Sequence, residues 1–155
     1  MLFRSVATVP WPRNERSPLA GVKTTSYAEQ VLALAHARAA GADEAVWADT
    51  RGRLSEGAGS NVFYVVDGEL RTPSTSTGCL PGVVRGLLLE WCTVRECEDP
   101  IEVVAGAEEV FLTSTTRGVQ AVSRWDDVDL PPGEVTDVVR RIWAEKAPSL
   151  LDAAH

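Results

Sequence analysis

The chain has 155 residues, of which 45% are hydrophobic, and it carries a formal net charge of -7. A chain of this length buries about 70% of the surface that it exposes when unfolded, which predicts one globular domain with its own core. The negative charge and the absence of a basic run argue against nucleic acid or an anionic membrane as a partner.

The first third of the sequence predicts one extended segment and one helix. The run VATVPWP at 5–11 is typical of a short extended segment ended by prolines. Ser26 is the expected N-cap of a helix from about Tyr27 to Ala40, and Glu29 completes a capping-box pattern. One stripe of this helix is predicted to carry Val31, Leu34, Ala35 and Arg38.

After residue 43 the pattern changes to short strands. The apolar runs EAVWAD and NVFYVV, followed by a hairpin signal at Asp67-Gly68, predict an antiparallel meander from Glu44 to Thr72. A helix is expected over Gly82–Trp91, then one or two short strands in RECEDPIEVV. Further strands are expected in AGAEEVFLTS and over Arg117–Trp125. A terminal helix from Gly133 to about Leu151 is predicted to turn inward Val135, Val138, Val139 and Ile142.

Cysteine spacing and hydropathy limit the class of protein further. The three cysteines, Cys79, Cys92 and Cys97, lack C-x-x-C spacing, which argues against a zinc site or a disulfide framework. No apolar run approaches the ~20 residues of a membrane helix. These features predict a cytoplasmic protein that needs no metal.

The chain contains two lysines against thirteen arginines, so few residues can supply a neutral amine. Lys146 lies in the charged run RRIWAEKAP, which is typical of the solvated face of a helix. Lys23 follows the turn-like Ala20-Gly21 and could face an apolar cleft, where desolvation favours the neutral amine and makes it a nucleophile and proton carrier. Taken alone, such a lysine is more often an ordinary surface residue.

Four blocks in a fixed order change that balance: GVKTTSYAEQ, LSEGAGSNVF, GCLPGVVR and EEVFLTSTTRGVQAV. Together they resemble the fold-type IV (class IV) pyridoxal-phosphate enzymes, which include branched-chain and D-amino-acid aminotransferases and 4-amino-4-deoxychorismate lyase. The likeness covers about Leu19 to Asp127. It implies a mixed α/β fold: a pseudo-barrel of mostly antiparallel strands with flanking helices.

The resemblance also implies how the chain is divided. Residues 1–18 are expected to form an extended segment and linker, and residues 19–155 the cofactor-binding C-terminal domain. Family members normally carry an N-terminal domain of comparable size ahead of the lysine block, and this domain is expected to be absent here. The family's phosphate-binding arginine belongs to that domain.

By the same resemblance the cofactor is pyridoxal 5'-phosphate, and Lys23 is its Schiff-base lysine and proton carrier. Glu56 matches the carboxylate that pairs with the pyridinium nitrogen and keeps the ring protonated, so that the ring accepts carbanion electrons. Leu80 is expected to pack on the ring face. Tyr27 either points at the ring oxygen or merely begins the helix.

The implied phosphate cradle has two halves. Gly82, Val83 and Val84 begin a helix, whose free N-H groups favour an anion. Ser114 and Thr115 add donors from the end of a strand. Many relatives have threonine where this chain has Val84, so one hydroxyl contact is lost.

The turn after Ser114 is implied to have a second role. Thr115 and Thr116 are expected to offer N-H donors to a substrate carboxylate. Arg85 is interpreted as a structural residue of the helix after the cradle, and Arg117 is assigned no role.

The implied function is either 4-amino-4-deoxychorismate lyase, which releases pyruvate and 4-aminobenzoate, or an aminotransferase acting on branched-chain or D-amino acids. The run from Lys23 to Val46 is more similar in pattern to lyase-like members. Relatives are homodimers, so a homodimer is expected. The alternative is a catalytically incompetent or truncated domain that folds and self-associates without turnover.

Overall fold

The computed structural model describes residues 4–152, which form three α-helices, two 3₁₀ helices and nine β-strands. The α-helices are α1 (Ala28–Ala39), α2 (Val83–Trp91) and α3 (Glu134–Asp152). The strands are β1 (Arg4–Thr8), β2 (Glu44–Ala48), β3 (Leu54–Gly57), β4 (Asn61–Val66), β5 (Glu69–Pro73), β6 (Arg95–Cys97), β7 (Glu109–Ser114), β8 (Gly118–Trp125) and β9 (Val128–Asp129).

Six of the strands close into a barrel in the order β3-β2-β1-β8-β7-β4, and β4 returns to β3. The closing contact is a single antiparallel pair, Glu56 with Asn61. β1 runs parallel to both of its neighbours, β2 and β8, while the other barrel pairs are antiparallel. The expectation of a pseudo-barrel of mostly antiparallel strands with flanking helices is therefore confirmed.

β4 shows why the barrel strands look continuously apolar in the sequence. Val62 and Tyr64 belong to a buried cluster to which all six barrel strands contribute, which places them in the interior. Phe63 and Val65 alternate with them and pack against α2 and α3 on the outside. Because both faces of β4 are covered, the alternation of polar and apolar residues disappears. α1 covers a third cluster, with Ala33 and Ala37 against β1 and β2.

The predicted extents of α1 and α2 agree with the structure to within one residue, but the predicted N-cap and buried stripe of α1 do not. Tyr27 is the N-cap, without a side-chain cap, so the capping box built on Ser26 and Glu29 is wrong. The Ser26 N-H instead donates to the Thr24 hydroxyl in a local turn. The buried residues of α1 are Gln30, Ala33 and Ala37, whereas Val31, Ala35 and Arg38 are exposed and Leu34 is half-buried.

Two other local expectations hold only in part. Of the one or two short strands expected in RECEDPIEVV, one forms as β6, while Ile101–Gly106 is a 3₁₀ helix that begins after Pro100. Within α3, Val139 is buried but Val138 is exposed, because Val135, Val139 and Trp143 form the packed stripe. The Asp67-Gly68 hairpin is confirmed: both residues have positive φ, as a two-residue type I′ turn requires.

The first 18 residues, predicted as an extended segment and linker, contribute β1 to the middle of the barrel. Residues 1–3 and 153–155 of the two predicted units lie outside the described residues. Among residues 4–152, no helix combines the length and the apolar character needed to cross a bilayer.

A buried carboxylate from β7 caps α3. Glu109 accepts hydrogen bonds from the backbone N-H groups of Val135 and Thr136, at 3.1 and 2.7 Å, and from the Thr136 hydroxyl at 2.7 Å. A negative side chain at a helix N-terminus satisfies donors that the helix itself leaves free. Gly133 is required beside it, because a Cβ there would come within 1.7 Å of the Glu109 carboxyl carbon.

We expect Glu109→Ala to lower the free energy of unfolding by about 2–3 kcal/mol, because it removes charge-assisted hydrogen bonds and leaves buried N-H groups without partners. Chemical denaturation monitored by tryptophan fluorescence measures this, since Trp143 lies on α3. Glu102→Ala, at an exposed glutamate, is the control and should change stability little. Equal midpoints for the two variants would contradict the cap.

Candidate active site

One cavity of about 320 Å³ opens beside the barrel closure. It gathers nine of the ten residues that the sequence nominated for the site, and Thr116 is the exception. These nine lining residues are Lys23, Tyr27, Glu56, Leu80, Gly82, Val83, Val84, Ser114 and Thr115. Thr116 is exposed on the turn between β7 and β8 and does not line the cavity.

The barrel closure and the cavity wall are joined through the backbone of Leu80. Its N-H donates to Oε2 of Glu56 at 2.8 Å, and its carbonyl accepts from Nδ2 of Asn61 at 2.7 Å. Glu56 and Asn61 are the same pair that links β3 to β4. The loop before α2 is therefore held to the barrel by both the N-H and the carbonyl of Leu80.

Glu56 is a buried carboxylate whose two oxygens have different partners. Oε2 accepts from Leu80, while Oε1 lies 3.0 Å from Nε of Arg13 as an ion pair. Burial raises the pKa of Glu56, and the charge of Arg13, the Leu80 N-H and the charge of Lys23 oppose that rise without cancelling it. The folded chain consequently stabilises the ionised Glu56 less well than water does, and a positive group in the cavity would offset this deficit.

Lys23 lies in the irregular segment before α1 and is exposed on the open side of the cavity. Its effect on the Glu56 pKa indicates that the two side chains share one electrostatic environment. Gly21, two residues before it, has a φ of 71°, which favours glycine and turns the chain towards the cavity. Its N-H donates to the carbonyl of Gly78, at 3.2 Å, which fastens this segment to the loop before α2.

Tyr27 both begins a helix and lines the cavity, and its contact with a ring oxygen stays a prediction. It is the N-cap residue of α1, and it lines the cavity with 39% of its surface exposed. Its hydroxyl donates to the Ala58 carbonyl across 3.4 Å, a long bond. A hydroxyl held this weakly can turn towards a ligand oxygen.

The start of α2 supplies backbone donors to the wall of the cavity. The first intrahelical bond of α2 runs from Gly86 to Gly82, so the N-H groups of Val83 and Val84 precede the helical ladder. Together with the helix dipole they favour a negative group. Ser114 and Thr115, at the end of β7, line the same cavity.

Arg85 does not line the cavity. It is 4% exposed, donates to the Pro73 carbonyl at 2.9 Å and forms an ion pair with Glu96, so it holds α2 against β5 and β6. Arg117 lies 4.0 Å from the buried Glu44, also away from the cavity.

Sequence reasoning missed six polar residues of the cavity wall: Arg13, Thr24, Gln30, Ser60, Asn61 and Thr113. Gln30 and Thr113 are buried, and among the described residues neither Oε1 of Gln30 nor Oγ1 of Thr113 has a hydrogen-bond partner. Buried polar atoms without partners are rare in folded proteins, and they favour a polar ligand in this cavity. The sequence held one signal for these residues: Gln30 shares a helical stripe with Ala33 and Ala37, the face that α1 buries.

Metal coordination has no support from the side chains. Among residues 4–152, His, Cys, Asp and Glu form no group of three that could hold a metal ion.

Comparison with known proteins identifies the wider relationship. Residues 3–125 match the family model described as amino-transferase class IV. The branched-chain-amino-acid aminotransferase of Salmonella typhimurium is 32% identical over 130 residues, which are 81% of this chain and 42% of that protein. The chain thus spans less than half the length of this relative.

Solved structures show the same partial coverage. A Legionella pneumophila protein provisionally assigned as 4-amino-4-deoxychorismate lyase superposes with a TM-score of 0.90 at 26% identity, over 93% of this chain and 56% of that one. An aminotransferase from Brucella abortus, solved with pyridoxal phosphate bound, superposes with a TM-score of 0.85 at 27% identity, over 92% and 54%.

Gly82 is a sharp test of the clamp on Leu80. A Cβ at Gly82 would lie 2.2 Å from Oδ1 of Asn61, so Gly82→Ala must displace the side chain that binds the Leu80 carbonyl. We expect a loss of about 1–3 kcal/mol in the free energy of unfolding, as for a broken buried hydrogen bond.

Gly86→Ala is the matched control in the same helix, because a Cβ there meets no atom within 4 Å. It should stabilise the protein by about 0.5–1 kcal/mol. In an Asn61→Ala background, Gly82→Ala should become nearly neutral. A full cost of Gly82→Ala in that background would contradict the steric argument.

Proposed function

The chain belongs to the class IV amino-transferase family, and we propose that it forms the part of a pyridoxal-phosphate enzyme that holds the cofactor. The proposed reaction acts on an amino acid and begins with removal of the proton from its α-carbon. Lys23 is the proposed attachment and proton-transfer residue, and Glu56 the partner of the ring nitrogen.

One observation carries this proposal: the amine of Lys23, the buried carboxylate of Glu56 and the N-terminus of α2 line a single cavity. Pyridoxal phosphate combines an aldehyde, a ring nitrogen that can be cationic and a dianionic phosphate, and each of these has a complementary group here. The raised pKa of Glu56 favours a cationic neighbour, because such a neighbour compensates the buried charge. The unpartnered oxygens of Gln30 and Thr113 supply further polar contacts.

When bound, the cofactor supplies an aldehyde that condenses with amines and a protonated ring that accepts the electrons left by bond breaking at the α-carbon of the substrate. Nζ of Lys23 takes that α-proton and later returns it to a second carbon atom. Glu56 keeps the ring nitrogen protonated through its negative charge. Leu80, whose backbone Glu56 and Asn61 fix, offers its side chain to one face of the ring.

The phosphate is assigned to the two donor walls. The N-H groups of Val83 and Val84 face it from α2, and Ser114 and Thr115 face it from the end of β7. Val84 offers only its backbone, since its side chain is buried in the packing between α2 and the barrel. The exposed turn residues Thr115 and Thr116 remain the proposed donors to the substrate carboxylate, with Thr116 reaching it from outside the cavity wall.

Removal of the α-proton is common to both candidate reactions. An aminotransferase on branched-chain or D-amino acids and a 4-amino-4-deoxychorismate lyase differ in the bond that changes next. Relatives of both kinds match the chain, and the lining residues named here serve either. The proposed substrate class is therefore an α-amino acid or an amino-deoxychorismate.

A second candidate is a domain that binds the cofactor without turning over a substrate. The exposure of Lys23 favours it, as does the coverage of only 42% of the Salmonella relative. Two valines that line the cavity are also uncovered, with exposed fractions of 49% for Val22 and 65% for Val83. A closed active site would cover such residues.

Covalent labelling tests the proposed attachment. The protein mixed with pyridoxal phosphate and reduced with borohydride should carry a pyridoxyl group on Lys23, located by peptide mass spectrometry. Lys23→Ala should abolish the label, whereas Lys146→Ala should retain it. Lys146 is the matched control because it is the other lysine of the sequence and lies exposed near Trp91, away from the cavity.

The same samples separate the two candidates. Loss of deuterium from the α-carbon of a labelled amino acid, in the presence of protein and cofactor, would support the enzyme and should require Lys23. Labelling of Lys23 without any such exchange would support the domain that only binds cofactor. Absence of label on Lys23 in the unmodified protein would contradict both.

We also propose that the chain is a homodimer that covers part of the exposed apolar surface. Val31 and Leu32 are 60% and 62% exposed on α1, beside Tyr27 and Val22. Large contiguous apolar patches are typical of interaction surfaces.

Analytical ultracentrifugation at micromolar concentration should show a dimer, and a Val31→Glu, Leu32→Glu double variant should shift it to monomer. Glu29→Gln, Arg38→Gln, with two exposed polar residues of the same helix changed, is the control.

A further inference from the structure

Arg13 is anchored between the site cavity and a neighbouring cavity of about 300 Å³, and it lines both. Its N-H donates to the Ala48 carbonyl at 2.8 Å, and it forms an isolated parallel bridge with Asp49. The chain after β1 therefore continues alongside β2. This path carries residue 13 to the cavity although it is ten positions before Lys23.

The guanidinium of Arg13 is held by one ring and one carboxylate. Its Cζ lies 5.4 Å from the ring centre of the buried Trp47, and its Nε lies 3.0 Å from Oε1 of Glu56. The side chain is only 11% exposed. Stacking on an indole fixes the plane of a guanidinium and leaves its edge free for a carboxylate.

The pairing with Glu56 is electrostatic rather than a directed hydrogen bond. The buried Nε of Arg13 has no aligned hydrogen-bond acceptor among the described residues, although Oε1 is within ion-pair distance. The charges of Arg13 and Lys23 lower the pKa of Glu56, and the charge of Glu56 raises the pKa of the Cys79 thiol. Among the effects that oppose the burial of Glu56, the charge of Arg13 is the largest.

We propose that Arg13 is a positioning residue that keeps the Glu56 carboxylate charged and turned into the cavity, and so controls the charge that the cofactor ring nitrogen meets. The part concerning the ring nitrogen rests on the proposed function; the control of Glu56 does not. Leu80 holds one carboxylate oxygen and Arg13 the other, so the carboxylate cannot rotate without losing a partner. Of the two cations that act on Glu56, Arg13 lowers the pKa of the carboxyl group more than Lys23 does.

The first experiment needs no cofactor. A carbon-13 NMR titration follows the carboxyl of Glu56, assigned with Glu56→Gln, in the unmodified protein and in Arg13→Gln, Arg13→Lys and Arg16→Gln. Arg13→Gln should move the Glu56 titration to higher pH, because burial is then less opposed. Arg13→Lys, which keeps the charge, should restore most of the difference.

Arg16→Gln is the matched control, since Arg16 is three residues away, 75% exposed and paired with Glu15 instead. It should leave the Glu56 titration unchanged. Thermal unfolding of each variant checks that the fold persists. An unchanged Glu56 titration in folded Arg13→Gln, or an equal shift in Arg16→Gln, would overturn the proposal.

The second experiment measures the dissociation constant of pyridoxal phosphate across pH in a double-mutant cycle. Arg13→Gln should weaken binding by about tenfold at the pH where Glu56 is protonated in the variant but still charged in the unmodified protein, because only the charged carboxylate attracts a cationic ring nitrogen. In the Glu56→Gln background the same change should have little effect, because its target is gone. An undiminished tenfold loss in that background would assign Arg13 to Trp47 packing or direct ligand contact and overturn the proposal.

The two experiments fail separately. If the unmodified protein does not bind pyridoxal phosphate, the proposed function fails, and the ring-nitrogen part of the inference fails with it. The NMR titration still decides whether Arg13 controls Glu56.

Discussion

The backbone of Leu80, bonded on one side to Glu56 and on the other to Asn61, is the constraint on which the site depends. These two residues form the pair that closes the barrel. The same side chains therefore complete the fold and set the position of the loop that leads into α2. The loop around Leu80 thus connects the buried carboxylate, the α2 N-terminus and the segment that carries Lys23. Residue 82 has to be glycine for this arrangement, because a Cβ there would collide with Asn61.

Electrostatics and packing at this point oppose one another. Glu56 is buried at the barrel closure, and this burial raises the pKa of its carboxyl group, whereas the proposed pairing with a ring nitrogen needs a charged carboxylate. The fold reduces the conflict by bringing Arg13 to one oxygen and the Leu80 N-H to the other. What remains uncompensated favours a cationic ligand, which would offset the charge of the buried carboxylate.

The openness of the cavity is consistent with the partial coverage of its relatives. The matched proteins are about twice the length of this chain, and its side chains complete the floor and two walls but leave Lys23, Val22 and Val83 exposed. Chemistry at a carbanion benefits from exclusion of water, which a covered mouth provides. In the proposed function, cofactor attachment uses residues of the cavity wall, whereas turnover also needs a covered mouth.

The sequence by itself determined the elements with local signals. α1, α2, the hairpin at Asp67-Gly68 and the β2 to β5 meander follow from periodicity and turn chemistry within a few residues. The resemblance supplied the barrel and nine residues that line one cavity, because ordered blocks record spatial neighbours. Local patterns failed where tertiary packing decides the outcome. Ser26 does not cap α1, and the packed stripe of α1 is set by the barrel surface beneath it.

Only the tertiary structure revealed Arg13, Gln30, Asn61 and Thr113. Arg13 reaches Glu56 across 43 positions of sequence because β1 lies parallel between β2 and β8, a pairing that no local pattern encodes. Asn61 looks like an ordinary strand-start residue until the barrel closes and brings Leu80 to its amide. The sequence shows which residues can take part in chemistry. Their partners, which fix their charge and orientation, are set by the long-range closure of the sheet.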